Sequence, residues 1–164
     1  MKRNALIVVV LLGFHIAFAT TISDNHNQVK KDGNRIEISS DSNLYRIEVC
    51  TPNIIRIRMA ATNQFAEDEQ LMVVRYDWDT VPFTLNHIEN DYELKTDSLT
   101  IRFSTSPFQI SFFTPEGMLI NEDVKTKNAI GYDQESPFCE KTLQSGEHFF
   151  GFGERMDFID QLGK

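Results

Sequence analysis

The chain predicts an all-β fold, an antiparallel sandwich. Apolar residues alternate with polar ones through short segments from Arg35 onward, and Pro, Gly, Ser and Asp turns recur between those segments. No window of about a dozen residues combines a helical apolar period with capping residues. Short, evenly spaced strands joined by tight turns bury one face each, and two such sheets must cover one another. No blade-like or coil-like repeat is present, which argues against a propeller or solenoid.

The elements follow in chain order. Ile36 and Ile38 begin the alternation, and Tyr45, Ile47 and Val49 then oppose Leu44, Arg46 and Glu48. Ile55, Ile57 and Met59 alternate with Arg56 and Arg58. The pattern resumes at Leu71 to Val74, Phe83 to Leu85, Tyr92 to Lys95, Leu99 to Phe103, Phe108 to Phe113 and Met118 to Asn121. Turns are expected at Lys95-Thr96-Asp97-Ser98, Ser104-Thr105-Ser106-Pro107 and Thr114-Pro115-Glu116-Gly117. In the last of these, proline presets a central dihedral and glycine accepts a positive φ. The most helix-tolerant run is "NQFAEDEQ", residues 63 to 70, with room for one short turn.

The N-terminus carries a different message. Lys2 and Arg3 precede the apolar run "ALIVVVLLGFHIAFA", and Ala17-Phe18-Ala19 places small residues where a signal peptidase reads. The run is interrupted by His15 and falls short of the roughly 20 residues that span a bilayer. We therefore expect residues 1 to 19 to be a signal peptide cleaved after Ala19, giving a secreted or periplasmic protein with no membrane span. Residues 20 to 34, "TTISDNHNQVKKDGN", read as a flexible polar leader, and residues 35 to 164 as one domain with enough chain to bury a core.

The formal net charge is −8. Loss of Lys2 and Arg3 with the leader makes the balance more negative still, which disfavours nucleic acid and anionic lipid as partners. A neutral sugar polymer fits without being required. An oxidising compartment would allow Cys50 and Cys139 to pair, although buried free cysteine is the commoner state. His26, His87 and His148 are scattered without ligand spacing, so no metal or other cofactor is expected.

The closing stretch "EHFFGFGERMDFIDQLGK" contains a Gly-x-Gly and a Gly-Lys. A dinucleotide fingerprint would need glycine where Met156 stands, and a P-loop would need glycine at Phe158 with a hydroxyl residue after Lys164. Both phosphate readings fail. Instead, "FFGFGERMDFIDQLGK" resembles the motif of glycoside hydrolase family 31, an aromatic-Gly-hydrophobe-Gly-Glu-Arg run followed by hydrophobe-Asp and Gly-Lys. Upstream, "SPFQISFFTPEGMLI" is similar to the strands of that family's N-terminal sandwich.

The resemblance implies a galactose-mutarotase-like β-sandwich, which this chain need not complete, packed in the family against a (β/α)8 barrel. It also implies α-glycoside substrates, with both catalytic aspartates in the barrel. The barrel motif around the nucleophile has no counterpart here: the one tryptophan, Trp78, stands in "YDWDT". No catalytic residue is therefore assigned, and the chain alone is expected to be inactive. The barrel would be supplied in cis or by a neighbouring gene product. Gly151, Gly153, Glu154 and Arg155 are read as a barrel-docking motif, and Phe158 and Asp160 as substrate-proximal in an intact enzyme. Glu154, Asp157 and Asp160, and separately Asp77 and Asp79, read as solvated turn and strand faces rather than acid pairs. Two other function classes stay open. One is a secreted module holding carbohydrate through Tyr76, Trp78, Tyr92 or Tyr132, and the other is a structural or adhesive domain without a small ligand.

Overall fold

The computed structural model describes residues 28–40, 43–62, 64–68, 73, 75–134 and 136–150. Its strands are β1 (Gln28–Asp32), β2 (Arg35–Ser40), β3 (Asn43–Thr51), β4 (Ile54–Ala60), β5 (Thr84–Ile88), β6 (Asp91–Lys95), β7 (Thr100–Thr105), β8 (Phe108–Phe113), β9 (Leu119–Glu122), β10 (Ile130–Asp133) and β11 (Ser136–Cys139). They form a four-stranded sheet in the order β1-β2-β3-β4, a five-stranded sheet in the order β5-β6-β7-β8-β9, and a β10-β11 hairpin. All the pairings are antiparallel. Among the described residues there is no helix, including the described part of the Asn63 to Gln70 run.

Alternation decides which face each strand buries. Ile36, Ile38, Tyr45, Ile47 and Val49 from the first sheet meet Leu94, Ile101, Phe103, Phe108 and Ile110 from the second in one buried cluster. The Tyr45 and Phe108 rings stack across the interface with centroids 4.0 Å apart and planes 11° apart. Tyr92 stacks on Phe103 at 5.2 Å and carries His87 on its other flank at 4.6 Å. Tyr92 and His87 are thus engaged in packing. The Thr114 turn closes as expected: the Gly117 amide donates to the Thr114 carbonyl at 2.9 Å, with Gly117 at φ +92°.

Polar pairing knits the far end of the second sheet. The buried Asp123 carboxylate accepts the Ile110 amide at 2.9 Å and pairs with the Lys141 ammonium. Its own amide donates to the Ile110 carbonyl at 3.0 Å, and its carbonyl accepts the Thr142 hydroxyl at 3.3 Å. One side chain therefore ties β8 to the segment that follows β11.

One expectation needs correction, one lies mainly outside the described residues, and one element is new. Order begins at Gln28 and not near Arg35: β1 lies inside the stretch read as a flexible leader and pairs with β2 from Gln28↔Ser39 to Asp32↔Arg35. The Asp32-Gly33-Asn34 turn, with Gly33 at φ +54°, closes that hairpin. The strand expected at Leu71 to Val74 falls mainly on residues outside those described, and Val73 belongs to no strand. The β10-β11 hairpin was not anticipated. There Phe138 lies across Gly131, where a Cβ would come within 2.7 Å of the ring, so glycine makes the aromatic cover possible. Cys50 and Cys139 are both free, the first buried and the second exposed.

Candidate functional site

The outward face of the first sheet is a lattice of arginines and carboxylates. Alternation that sends Ile47 and Val49 inward sends Arg46 and Glu48 outward, and the antiparallel register sets Arg35 and Arg56 on either side of Glu48. Arg35 Nε meets Glu48 Oε1 at 2.7 Å, and Arg56 Nη1 meets Glu48 Oε2 at 3.5 Å. The hydrogen bond to Glu48 raises the Arg35 guanidinium above its ordinary pKa. Burial pushes the neighbouring Cys50 thiol upward, which keeps it protonated and unreactive at neutral pH.

The connection between β4 and β5 folds back over this lattice. Asp68 takes Arg56 at 2.6 Å and Arg58 at 3.0 Å. The Phe65 ring lies under Arg46 at 4.0 Å, and the Tyr76 ring faces Arg56 at 4.7 Å. Asn34, at the β1-β2 turn, fastens the far end of the connection: its amide donates to the Asp79 carbonyl at 2.8 Å and its oxygen accepts the Val81 amide at 3.0 Å. The backbone is pinned at both ends, which holds Tyr76 and Trp78 over Arg35 and Glu48.

A cavity of about 280 Å³ lies between sheet and connection, walled by Tyr76 and Trp78 with Arg35 and Glu48 on the sheet side. A second cavity of about 320 Å³, with Val81 and Pro82 in its wall, shares Trp78 and Thr80 with the first. The Trp78 indole nitrogen is buried and has no hydrogen-bond partner among the described residues. An unpaired buried donor costs about 1–3 kcal/mol, so native proteins seldom leave one without a reason.

Of the residues singled out in sequence, Tyr76 and Trp78 are brought together here. Asp77 and Asp79 are exposed and flank Arg75 at 3.4 and 3.5 Å, a solvated arrangement. Tyr92 packs against Phe103, and Tyr132 is exposed on β10. Gly151, Gly153, Glu154, Arg155, Asp157, Phe158 and Asp160 lie outside the described residues, as do the signal segment and His26. Among the described residues no group of three His, Cys, Asp or Glu side chains is gathered for a metal. Arg35, Glu48 and Asn34 escaped the sequence reading. Their signal, opposite charges on the polar side of adjacent strands, is common to ordinary solvated sheet faces.

The charge lattice gives the fold a pH dependence. The Arg56 hydrogen bond holds the Asp68 carboxyl below its usual range, and Lys95, then Arg102, do the same for Glu93 on β6. Depressed carboxylates stabilise the folded state above the unfolded value near 4, and that contribution is lost as pH falls through the folded value. Urea midpoints should therefore drop between about pH 5 and pH 2. The double variant Asp68→Asn, Glu93→Gln should show a flatter profile, and an unchanged slope would refute this assignment.

Comparison with known proteins places this geometry. Residues 44–164 match the model of the glycosyl hydrolase 31 N-terminal galactose mutarotase-like domain. An alpha-glucosidase 2 of Bacillus thermoamyloliquefaciens is 24% identical over 124 residues, covering 76% of this chain and 16% of that protein. The GH31 dextranase of Flavobacterium johnsoniae, solved with isomaltotriose, superposes with a TM-score of 0.70 at 25% identity over 82% of this chain and 17% of its own. The cycloalternan-forming enzyme of Listeria monocytogenes, solved with a pentasaccharide substrate, gives 0.68 at 20% identity, with 84% and 13% covered. The chain thus spans less than a fifth of these relatives. With the family model running from β3 through the whole second sheet and on through the Gly-x-Gly-Glu-Arg motif, the chain belongs to the glycosyl hydrolase 31 N-terminal galactose mutarotase-like domain family.

Proposed function

We propose that this sandwich is the non-catalytic N-terminal domain of a secreted α-glycosidase, exported by cleavage after Ala19, that supports and borders the active site of a (β/α)8 barrel. The observation that carries the reading is the family match over residues 44–164, in relatives for which the matched part is a small fraction of the whole. The barrel would be supplied in cis or by a neighbouring gene product, and its substrate would be an α-glycoside. Gly151 and Gly153 would let the barrel backbone approach, Glu154 and Arg155 would fix the loop, and Phe158 and Asp160 would sit near substrate. The apolar side chains just before that motif support a docking edge there: Leu143, Phe149 and Phe150 are all exposed.

Glycoside hydrolysis needs two carboxyl groups set across the scissile bond, and in this reading both come from the barrel. The purified chain should therefore hydrolyse no aryl α-glucoside, α-xyloside or α-galactoside above background. Turnover that survives repurification would overturn the non-catalytic role. A mature secreted product still carrying residues 5 to 19 would overturn the export step.

A further inference from the structure

We propose that the peptide bond after Arg75 is a processing site for an arginine-specific endopeptidase, and that the cut chain persists as a two-chain sandwich. The cut requires neither a barrel nor glycoside hydrolysis, so its test is separate from that of the proposed function.

The placement of the arginines selects the bond. An endopeptidase draws a stretch of substrate into its cleft, which a strand already paired in a sheet cannot supply without leaving its ladder. Arg35 stands on β2, Arg46 on β3, Arg56 and Arg58 on β4 and Arg102 on β7, each paired to a neighbouring strand. Arg75 belongs to no strand, and its side chain is 51% exposed. Its polar partners are local: Nε donates to the Asp77 carbonyl at 2.7 Å, and the Asp77 and Asp79 carboxylates lie at 3.4 and 3.5 Å. Both carboxylates are almost fully exposed, so these are screened surface pairs that an acidic specificity pocket can replace. Water then adds across the Arg75-Tyr76 bond, leaving a carboxylate on Arg75 and an ammonium on Tyr76.

The chain is fastened on both sides of that bond. Upstream, Asp68 is held by Arg56 and Arg58. Downstream, Asn34 holds the Asp79 carbonyl and the Val81 amide. Each new end therefore stays on the first sheet. The piece ending at Arg75 keeps β1 to β4 and the piece beginning at Tyr76 keeps β5 to β11, so neither sheet draws strands from both pieces and no ladder is broken. The pieces stay joined by the shared core, by the two Asn34 hydrogen bonds and by the Thr96 hydroxyl, which donates to the Pro52 carbonyl at 2.6 Å. The new Tyr76 ammonium opens beside a cavity that Asp32, Glu48 and Asp77 help to line, where charge favours it.

The chain would be digested with an arginine-specific endopeptidase in native buffer, and the products followed by mass spectrometry and size-exclusion chromatography. Cleavage after Arg75 should outrun cleavage after any strand arginine at least tenfold. The two pieces should co-elute at the volume of the uncut chain and part only in urea, at a midpoint that rises with protein concentration because the cut fold is bimolecular. Arg75→Lys keeps the charge and the surface pairs, so it should leave the urea midpoint of the uncut chain in place while slowing the cut at least tenfold. A first cut at a strand arginine overturns the proposal, as does the absence of any cut after Arg75. So do pieces that separate or precipitate without urea, or cutting of Arg75→Lys at the wild-type rate.

Discussion

Phe108→Ala is expected to destabilise the chain by about 3–5 kcal/mol, measured as the change in urea unfolding free energy. The phenyl ring is fully buried and stacked on Tyr45, so truncation removes apolar contact area and an aromatic stack that bridges the two sheets. The space cannot collapse easily, because Tyr45, stacked on the ring, and Ile110, in the same buried cluster, belong to paired strands that cannot shift without breaking ladder hydrogen bonds. Met118→Ala supplies the contrast. That side chain is 68% exposed, and its loss should stay within about 0.5 kcal/mol. Equal effects from the two substitutions would mean that the sheets do not share this core.

The second large effect is expected at Asp123. Its carboxylate is 1% exposed and serves two partners from different parts of the chain, the Ile110 amide and the Lys141 ammonium. Asp123→Ala leaves the amide without its acceptor and should cost about 2–3 kcal/mol. Lys141 softens the loss because it can turn back toward water. Asp123→Asn keeps an acceptor for Ile110 while removing the charge, so it should recover roughly half of the deficit. If the asparagine and alanine variants unfold at the same urea concentration, the hydrogen bond to Ile110 contributes nothing and the assignment fails.

Strands that alternate strictly were legible from sequence. Tyr45, Ile47 and Val49 fall on one face by period alone, and the same holds for Ile101 and Phe103. β1 was not legible, because its segment QVKKD carries only one large apolar residue and its exposed side chains mimic a solvated leader. The better clue was the Asp32-Gly33 turn, a hairpin signal read as mere polarity. β10 and β11 are four residues each, too short for a period to register, and Pro137 and Gly131 lower their strand propensity further.

The cavity site was half legible. Trp78 and Tyr76 stood out as aromatics, yet nothing local shows that a connection rich in Asp and Glu will lie back over four arginines. That placement depends on Asp68 meeting Arg56 and Arg58, a match between chain segments that no single window contains.

The strand orders have a consequence for how the chain finds its fold. In both large sheets every strand pairs with its immediate sequence neighbour, so each sheet is a meander that can assemble from short loops. Loop-closure cost grows with the logarithm of loop length, and these hairpins keep it low. The long event is the meeting of the two meanders, because neither can bury its apolar face until the other arrives. Stability is then indivisible although assembly is local. Residues 61 to 83 act as the tether that sets the encounter frequency of the two halves, so lengthening that tether would slow folding far more than it would weaken the finished sandwich.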